Sequence, residues 1–303
     1  MPLDSEIPRV SIGMAVYNGE AFLAQSLEAL LKQTYRNFEL IICDNCSTDR
    51  TQEICRTFAA ADSRIHYHRN EANIGAPRNF NLAFSFARGE YFKWSGADDI
   101  CAPEFIEKCV NVLERHPELA LCYPKTVWID ARSQPIQPYD DFLDMPFPSP
   151  SRRLKHLLWN IRQCNANFGV VRTSIMRRTK LFQLFPDSDV PFLAEVALHG
   201  AFIEYPEPLF FRRVHDLSVR RFPSAQERMV MFDPSKKGKI VFPSWQLFFS
   251  YLAAIHRTPL SFAERLRCYF QMNVWLRRWG NKLWSDLVFA GRSLFRKPKG
   301  RST

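Results

Sequence analysis

The stretch V-S-I-G-M-A-V-Y-N-G-E-A-F-L-A-Q-S-L-E-A-L-L, residues 10–31, decides the architecture. Val10 to Val16 is a short run of apolar and small residues, whereas Leu23, Leu27, Leu30 and Leu31 recur at the spacing of one helix face. A strand therefore runs into a helix through the polar turn Tyr17-Asn18-Gly19-Glu20. The unit returns three times: 38–43 before 48–61, 64–67 before 76–88, and 90–94 before a helix entered at Pro103. Strands alternating with helices in this way predict right-handed crossovers and a mostly parallel sheet in an α/β fold. Such sheets bind ligands beyond the carboxyl ends of their strands. Each polar cluster of this N-terminal part falls at that edge: 17–20, 44–49, 70–79 and Asp98-Asp99. Four converging loops point to a polar ligand that bridges them.

Further on, 119–123, 127–130, 168–172 and 209–212 read as strand and 190–198 as helix. Residues 134–151 hold Pro135, Pro138, Pro146, Pro148 and Pro150 with Asp140, Asp141 and Asp144, and read as a long irregular loop, a lid or a linker.

With 303 residues, 46% hydrophobic and 24% charged, the chain can bury a sizeable core. Its net charge of +10 is unevenly spread. Residues 236–303 carry 14 Lys and Arg against Glu264 and Asp286, or +12, and the remaining 27 basic and 29 acidic residues give −2. This predicts a main domain over 1–235 and a helical, basic, Trp-rich extension over 236–303 with four of the seven tryptophans. There Tyr269, Met272, Trp275, Trp279 and Leu283 form a helical stripe near Arg277, Arg278 and Lys282, suited to packing on its own domain or to an anionic membrane surface. Nucleic acid is not an expected partner, because no nucleic-acid motif accompanies the charge.

Residues 1–6 lack the blocks of a signal peptide, and the longest apolar stretch, 241–255, is interrupted by Pro243, Ser244 and Gln246. The expected location is the cytoplasm, with peripheral contact at the inner face of the membrane as an option. The eight cysteines include one C-x-x-C pair, Cys43 and Cys46, with no second pair to complete a zinc site, and are read as free thiols.

Asp98 and Asp99 sit side by side where the strand 90–94 leaves the core. Adjacent carboxylates repel unless a cation or donor compensates them. They suit either an acidic helix entry or a cation site.

The motifs V-S-I-G-M-A-V-Y-N-G-E-A-F-L, D-N-C-S-T-D-R-T (44–51), N-x-G-A-P-R-N (73–79), G-A-D-D (96–99) with A-P-E-F after it, S-D-V-P-F-L-A-E-V-A-L-H-G (188–200) and R-R-V-H (212–215) occur in one order. Together they resemble the family-2 nucleotide-sugar glycosyltransferases of the GT-A fold over roughly residues 8–216. The resemblance implies an inverting glycosyltransferase that moves a sugar from a nucleoside-diphosphate sugar to a glycan or lipid-linked acceptor in polysaccharide or glycolipid assembly. It places Ala15, Tyr17, Asn18, Glu20, Asp44, Asn45, Gly75, Arg78, Asn79, Asp98 and Asp99 around the nucleotide sugar. Tyr17 would stack on or border the base, Asp44 or Asn45 would bond its edge, and Arg78 would meet phosphate or ribose. Asp98 and His215 would hold Mn²⁺ or Mg²⁺, which neutralises the diphosphate leaving group.

Asp189 matches the family's base and equally suits the N-cap of the helix after it; Asp187 and Glu195 are the alternatives. Gly96 stands where relatives carry the first acid of a D-x-D element. That departure motivates a rival reading, a catalytically weak homologue that binds sugar nucleotide or glycan without turnover. A basic adaptor at a membrane surface is the other rival.

Overall fold

The computed structural model describes residues 7–215, 228, 229, 232–237 and 239–295. Its N-terminal half is the expected alternation: β1 (Val10–Val16), α1 (Leu23–Leu31), β2 (Phe38–Asp44), α2 (Thr51–Ala61), β3 (Ile65–Arg69), α3 (Ala76–Ser85) and β4 (Tyr91–Ser95). The two-residue β5 (Ile100–Cys101) and α4 (Phe105–Arg115) follow. Next come β6 (Leu119–Ile129), β7 (Pro135–Tyr139), α5 (Pro150–Asn160), β8 (Val170–Arg172), α6 (Thr173–Met176), α7 (Asp189–His199) and β9 (Ala201–Arg213). We number the last two helices α8 (Pro243–Arg257) and α9 (Phe262–Phe295).

The nine-stranded sheet runs β3-β2-β1-β4-β8-β6-β9-β5, with β7 on β6. β1, β2, β3 and β4 are mutually parallel, β8 is antiparallel to both neighbours, and β6 and β9 are parallel again. The central strands β1 and β2 are buried on both faces, which explains why they read as near-continuous apolar runs. Period-two alternation divides the core. Leu40 and Ile42 join Val10, Ile12, Met14 and Leu27 on one side, and Ile41 and Cys43 join Phe92, Trp94 and Leu193 on the other.

Residues 134–151 are not a loop throughout. Residues 135–139 pair with β6 as an edge strand, where the missing proline N–H groups cost no ladder bond. Asp141, Leu143 and Met145 are then buried, and Met145 N bonds to Phe202 O at 3.1 Å, so this segment is anchored in the core rather than built as a lid or linker. All eight cysteines are free thiols. The stripe on α9 packs inward: Met272 and Trp275 are buried in the apolar cluster that contains Trp94, Phe192 and Tyr251. No helix among the described residues is long and apolar enough to cross a membrane.

Candidate active site

A cleft of about 960 Å³ opens at the carboxyl ends of β1 and β4. Its lining includes Ala15 near the end of β1 with Tyr17 and Asn18 after it, Asp98 and Asp99 after β4, Asp187 to Asp189 at the head of α7, and Arg212 to His215 at the end of β9. Trp275, Arg278, Trp279 and Lys282 of α9 close one side.

The acidic pair is held from β9. Asp99 is buried, and its Oδ1 accepts the Arg213 N–H at 2.9 Å. Asp98 is more open, and its Oδ2 lies 3.0 Å from His215 Nε2. The Arg213 guanidinium is a strap, with Nε donating to Asp98 O at 2.8 Å, Nη1 to Asp130 O at 2.9 Å and Nη2 to Gln25 Oε1 at 3.0 Å. It also stacks 4.5 Å over the Phe22 ring, which packs 4.9 Å from the His215 ring. Burial, then the Asp98 charge, pushes the Asp99 pKa up, while Arg212, the Arg213 N–H and buried Lys93 pull the other way. Gly96 has a steric role in this arrangement. A Cβ there would stand 2.6 Å from Asp99 Oδ2 and 2.9 Å from Asp98 Oδ1. The two carboxylates thus fold over the bare backbone, in space that a side chain at position 96 would enter.

Asp189 is the first residue of α7, where the helix dipole favours a carboxylate. It caps nothing through its side chain, since the residue before the helix is Ser188 and no side-chain cap bond forms. Its Oδ2 accepts from Asn167 Nδ2 at a long 3.4 Å. The residue keeps an opening to the cleft, yet protein surrounds its carboxyl closely. That burial, with the Asp187 charge second, pushes its pKa up to about 6. Asp187 is exposed, has a left-handed φ of 63°, and faces Arg228 at 3.6 Å. Glu195 is engaged by Arg257 at 2.7 Å and by the Lys180 N–H at 3.1 Å, inside α7 and away from the cleft lining.

The remaining polar residues brace the loops around the cleft. Asp44 is buried and accepts from Ser47 N at 2.9 Å, Tyr67 Oη at 2.8 Å and Arg69 Nη1 at 2.7 Å. Burial alone would raise its pKa, but these bonds outweigh it and hold the carboxyl below its usual value. Asn45 bonds to Asn73, Asn70 and the Ile74 N–H, and Asn79 to Cys43 O at 2.7 Å and to Asn70. Glu20 accepts the Arg50 N–H at 2.9 Å. Gly75 precedes α3 at φ 87°, a conformation that favours glycine. Arg78 is exposed, bonds to Ile74 O at 3.3 Å and lies 3.9 Å from Asp233. The cleft lining thus brings together Ala15, Tyr17, Asn18, Asp98, Asp99, Asp189 and His215, and not Glu20, Asp44, Asn45, Gly75, Arg78 or Asn79.

A family model described as "Glycosyl transferase family 2" matches residues 11–185. The chain belongs to glycosyl transferase family 2. Among its relatives, the putative glycosyltransferase EpsE of Bacillus subtilis is 42% identical over 110 residues, covering 36% of this chain and 40% of EpsE. An uncharacterized glycosyltransferase of Haemophilus influenzae is 28% identical over 226 residues, covering 69% of this chain and 66% of its own. The match thus spans less than two thirds of the length of these curated relatives. Among solved structures, S. aureus TarS in complex with UDP-GlcNAc superposes with a TM-score of 0.67 at 15% identity, over 94% of this chain and 81% of that one. The mannosyltransferase PcManGT from Pyrobaculum calidifontis, in complex with GDP-Man and Mn²⁺, gives 0.52 at 15% identity, over 98% and 92%. At these identities the likeness shows the fold, which is GT-A.

For this family-2 chain the donor set decides how a cation would fit. No three His, Cys, Asp or Glu side chains are gathered as a metal cage among the described residues. A hard divalent cation can nonetheless be bound through one or two carboxylates, with water and substrate phosphate completing its shell. Asp98 and Asp99, whose oxygens flank Gly96, fit that pattern. Sequence reading missed Arg213, whose backbone N–H holds the Asp99 carboxylate and whose guanidinium holds Asp98 O, although R-R-V-H contains it. It also missed α9 as a wall of the cleft, because nothing in a helical stripe says which domain surface it meets.

Proposed function

We propose that the protein is an inverting glycosyltransferase that uses a nucleoside-diphosphate sugar and glycosylates a hydroxyl of a glycan or lipid-linked acceptor. The observation that carries this reading is the placement of Asp189, a carboxylate of raised pKa, in one cleft with Asp98 and Asp99. Asp98 and Asp99 would hold Mn²⁺ or Mg²⁺ at the donor diphosphate, where the cation offsets the negative charge of the leaving group. His215 positions the Asp98 carboxylate through their 3.0 Å contact. Tyr17 and Asn18 border the donor, and Asp189 takes the proton of the attacking acceptor hydroxyl. Giving one carboxylate, Asp189, the role of base and none the role of nucleophile is the arrangement that inversion requires. TarS with UDP-GlcNAc and PcManGT with GDP-Man suggest UDP- and GDP-sugars as the first donors to try.

The test is nucleoside-diphosphate release from a panel of UDP- and GDP-sugars with Mn²⁺ or Mg²⁺, beside thermal shifts with the free nucleotides. Release with a matching thermal shift is expected. A shift with no release from any donor and acceptor would favour the rival reading that Gly96 motivates, binding without turnover. Asp98→Asn, with one charge fewer for a cation, is expected to weaken Mn²⁺-supported nucleotide binding by roughly 10–100-fold. Calorimetry giving equal affinity and equal Mn²⁺ response in variant and parent would remove Asp98 from the cation site.

A pH profile tests the base. Asp189 works deprotonated, so kcat/KM should rise with pH through about 6. The Asp187 charge contributes to the raised value, so Asp187→Asn should move this limb to lower pH while leaving the plateau rate near parental. A limb that stays in place in Asp187→Asn would assign it to another group.

A further inference from the structure

The packing of α9 leaves it a second apolar face. Cys268, Met272, Trp275 and Trp279 turn towards the body of the protein, the first three of them buried. On another side Phe262, Leu266, Phe270, Leu276, Trp284 and Leu287 fall within an arc of roughly 120° at 3.6 residues per turn. All six are exposed, Phe262 at 75%, Phe270 at 72% and Trp284 at 69%. Large apolar faces of this kind mark interaction sites.

The charges around this face choose its occupant. The two acids of α9 are engaged where the helix packs: Glu264 accepts from Ser151 N at 3.1 Å, and Asp286 from Ser244 N at 2.7 Å. Arg277 is exposed within the apolar arc, and Arg267, exposed at its edge, pairs with Glu264 at 2.8 Å; Arg278 and Lys282 are exposed on the cleft side. The helix therefore shows solvent an apolar ribbon with Arg277 inside it and Arg267 beside it, while its two carboxylates are engaged by partners. We propose that this face of α9 docks on an anionic lipid bilayer, its aromatic and aliphatic side chains entering the headgroup boundary and its arginines meeting lipid phosphate. A two-fold contact with a second copy fits less well, because it would bring Arg277 and Arg267 of both copies together. The other side of α9 lines the cleft, so docking would set the cleft mouth about one helix diameter, roughly 10–12 Å, from the surface. The surface differs from the side that carries Met272, Trp275, Trp279 and Leu283, which packs on the core, and half-buried Tyr269 lies within its arc.

Removing 236–303 is a poor test, since Tyr251 and Trp275 belong to the main core. Point changes on the full chain avoid this. Sedimentation would compare phosphatidylcholine vesicles with vesicles that also contain phosphatidylglycerol. The parent should bind the mixed vesicles at low salt and release as salt rises. Phe270→Glu with Trp284→Glu should lower that binding by about tenfold or more, with unchanged nucleotide affinity and thermal midpoint. Should this double variant misfold, Trp284→Phe with tryptophan fluorescence decides: the parent shows a vesicle-induced blue shift that the variant largely loses. Three outcomes overturn the proposal: no parental binding to the mixed vesicles, equal binding and equal fluorescence response in the variants, or a parental dimer that the double change dissociates. The last would give the face to a second copy. Failure to find a donor sugar, by contrast, would count against the proposed transfer reaction alone.

Discussion

Asp189→Asn is expected to lower glycosyl transfer on the order of 10²–10⁴-fold while folding and nucleotide affinity stay in place. Asparagine keeps the shape of the side chain and can still accept from Asn167 Nδ2, which lies 3.4 Å from the carboxylate. What it loses is basicity. The native carboxyl is held at about 6 chiefly by burial, so it carries a desolvation cost that a neutral amide avoids, and stability should hold or rise slightly. Glycosyl transfer would be measured with a working donor and acceptor, beside nucleotide binding by calorimetry. Asp187→Asn is the control, since Asp187 is exposed and paired with Arg228 at 3.6 Å. Near-parental transfer by Asp189→Asn, or a larger loss in Asp187→Asn, would place the base on another carboxylate.

The N-terminal sheet was legible because its signals are local. Apolar runs such as 10–16 and 38–43 are bounded by polar turns, and buried parallel strands need no partner information to be read as strands. The acidic pair and Asp189 were legible as positions in motifs, and the structure brings them to one cleft. Their partners were not. Asp44, Asn45 and Asn79 look like ligand-binding residues in sequence, yet their polar atoms are used on Arg69, Asn70, Ile74 and Cys43. A polar loop residue reads the same whether it serves a ligand or its own turn. The strand at 135–139 was hidden by its prolines, which edge pairing tolerates. On α9 the sequence shows apolar residues on most of the helix circumference, and only tertiary contact separates the core side from the exposed one.

Arg213→Ala should give the largest structural loss among single changes at the cleft. The side chain is buried at the end of β9, and its guanidinium joins the acidic loop to Asp130 and to Gln25 of α1. Removing it leaves these acceptors unmatched and takes away one of the cations that face Asp98 and Asp99. Loss of one partner from such a buried arrangement costs about 3–5 kcal/mol, or on the order of 10 °C in Tm. Arg213→Lys should recover only part of this, because one ammonium on a flexible stem cannot reach Asp98 O, Asp130 O and Gln25 Oε1 together. Nucleotide binding adds a readout that stability alone would not move. At a temperature where both variants remain folded, Mn²⁺-supported affinity should fall in Arg213→Lys, since Asp98 loses the bond to its carbonyl that fixes the loop. Parental Tm and parental affinity in Arg213→Ala would mean that the loop after β4 is set by its own backbone and by His215, and that the strap is dispensable.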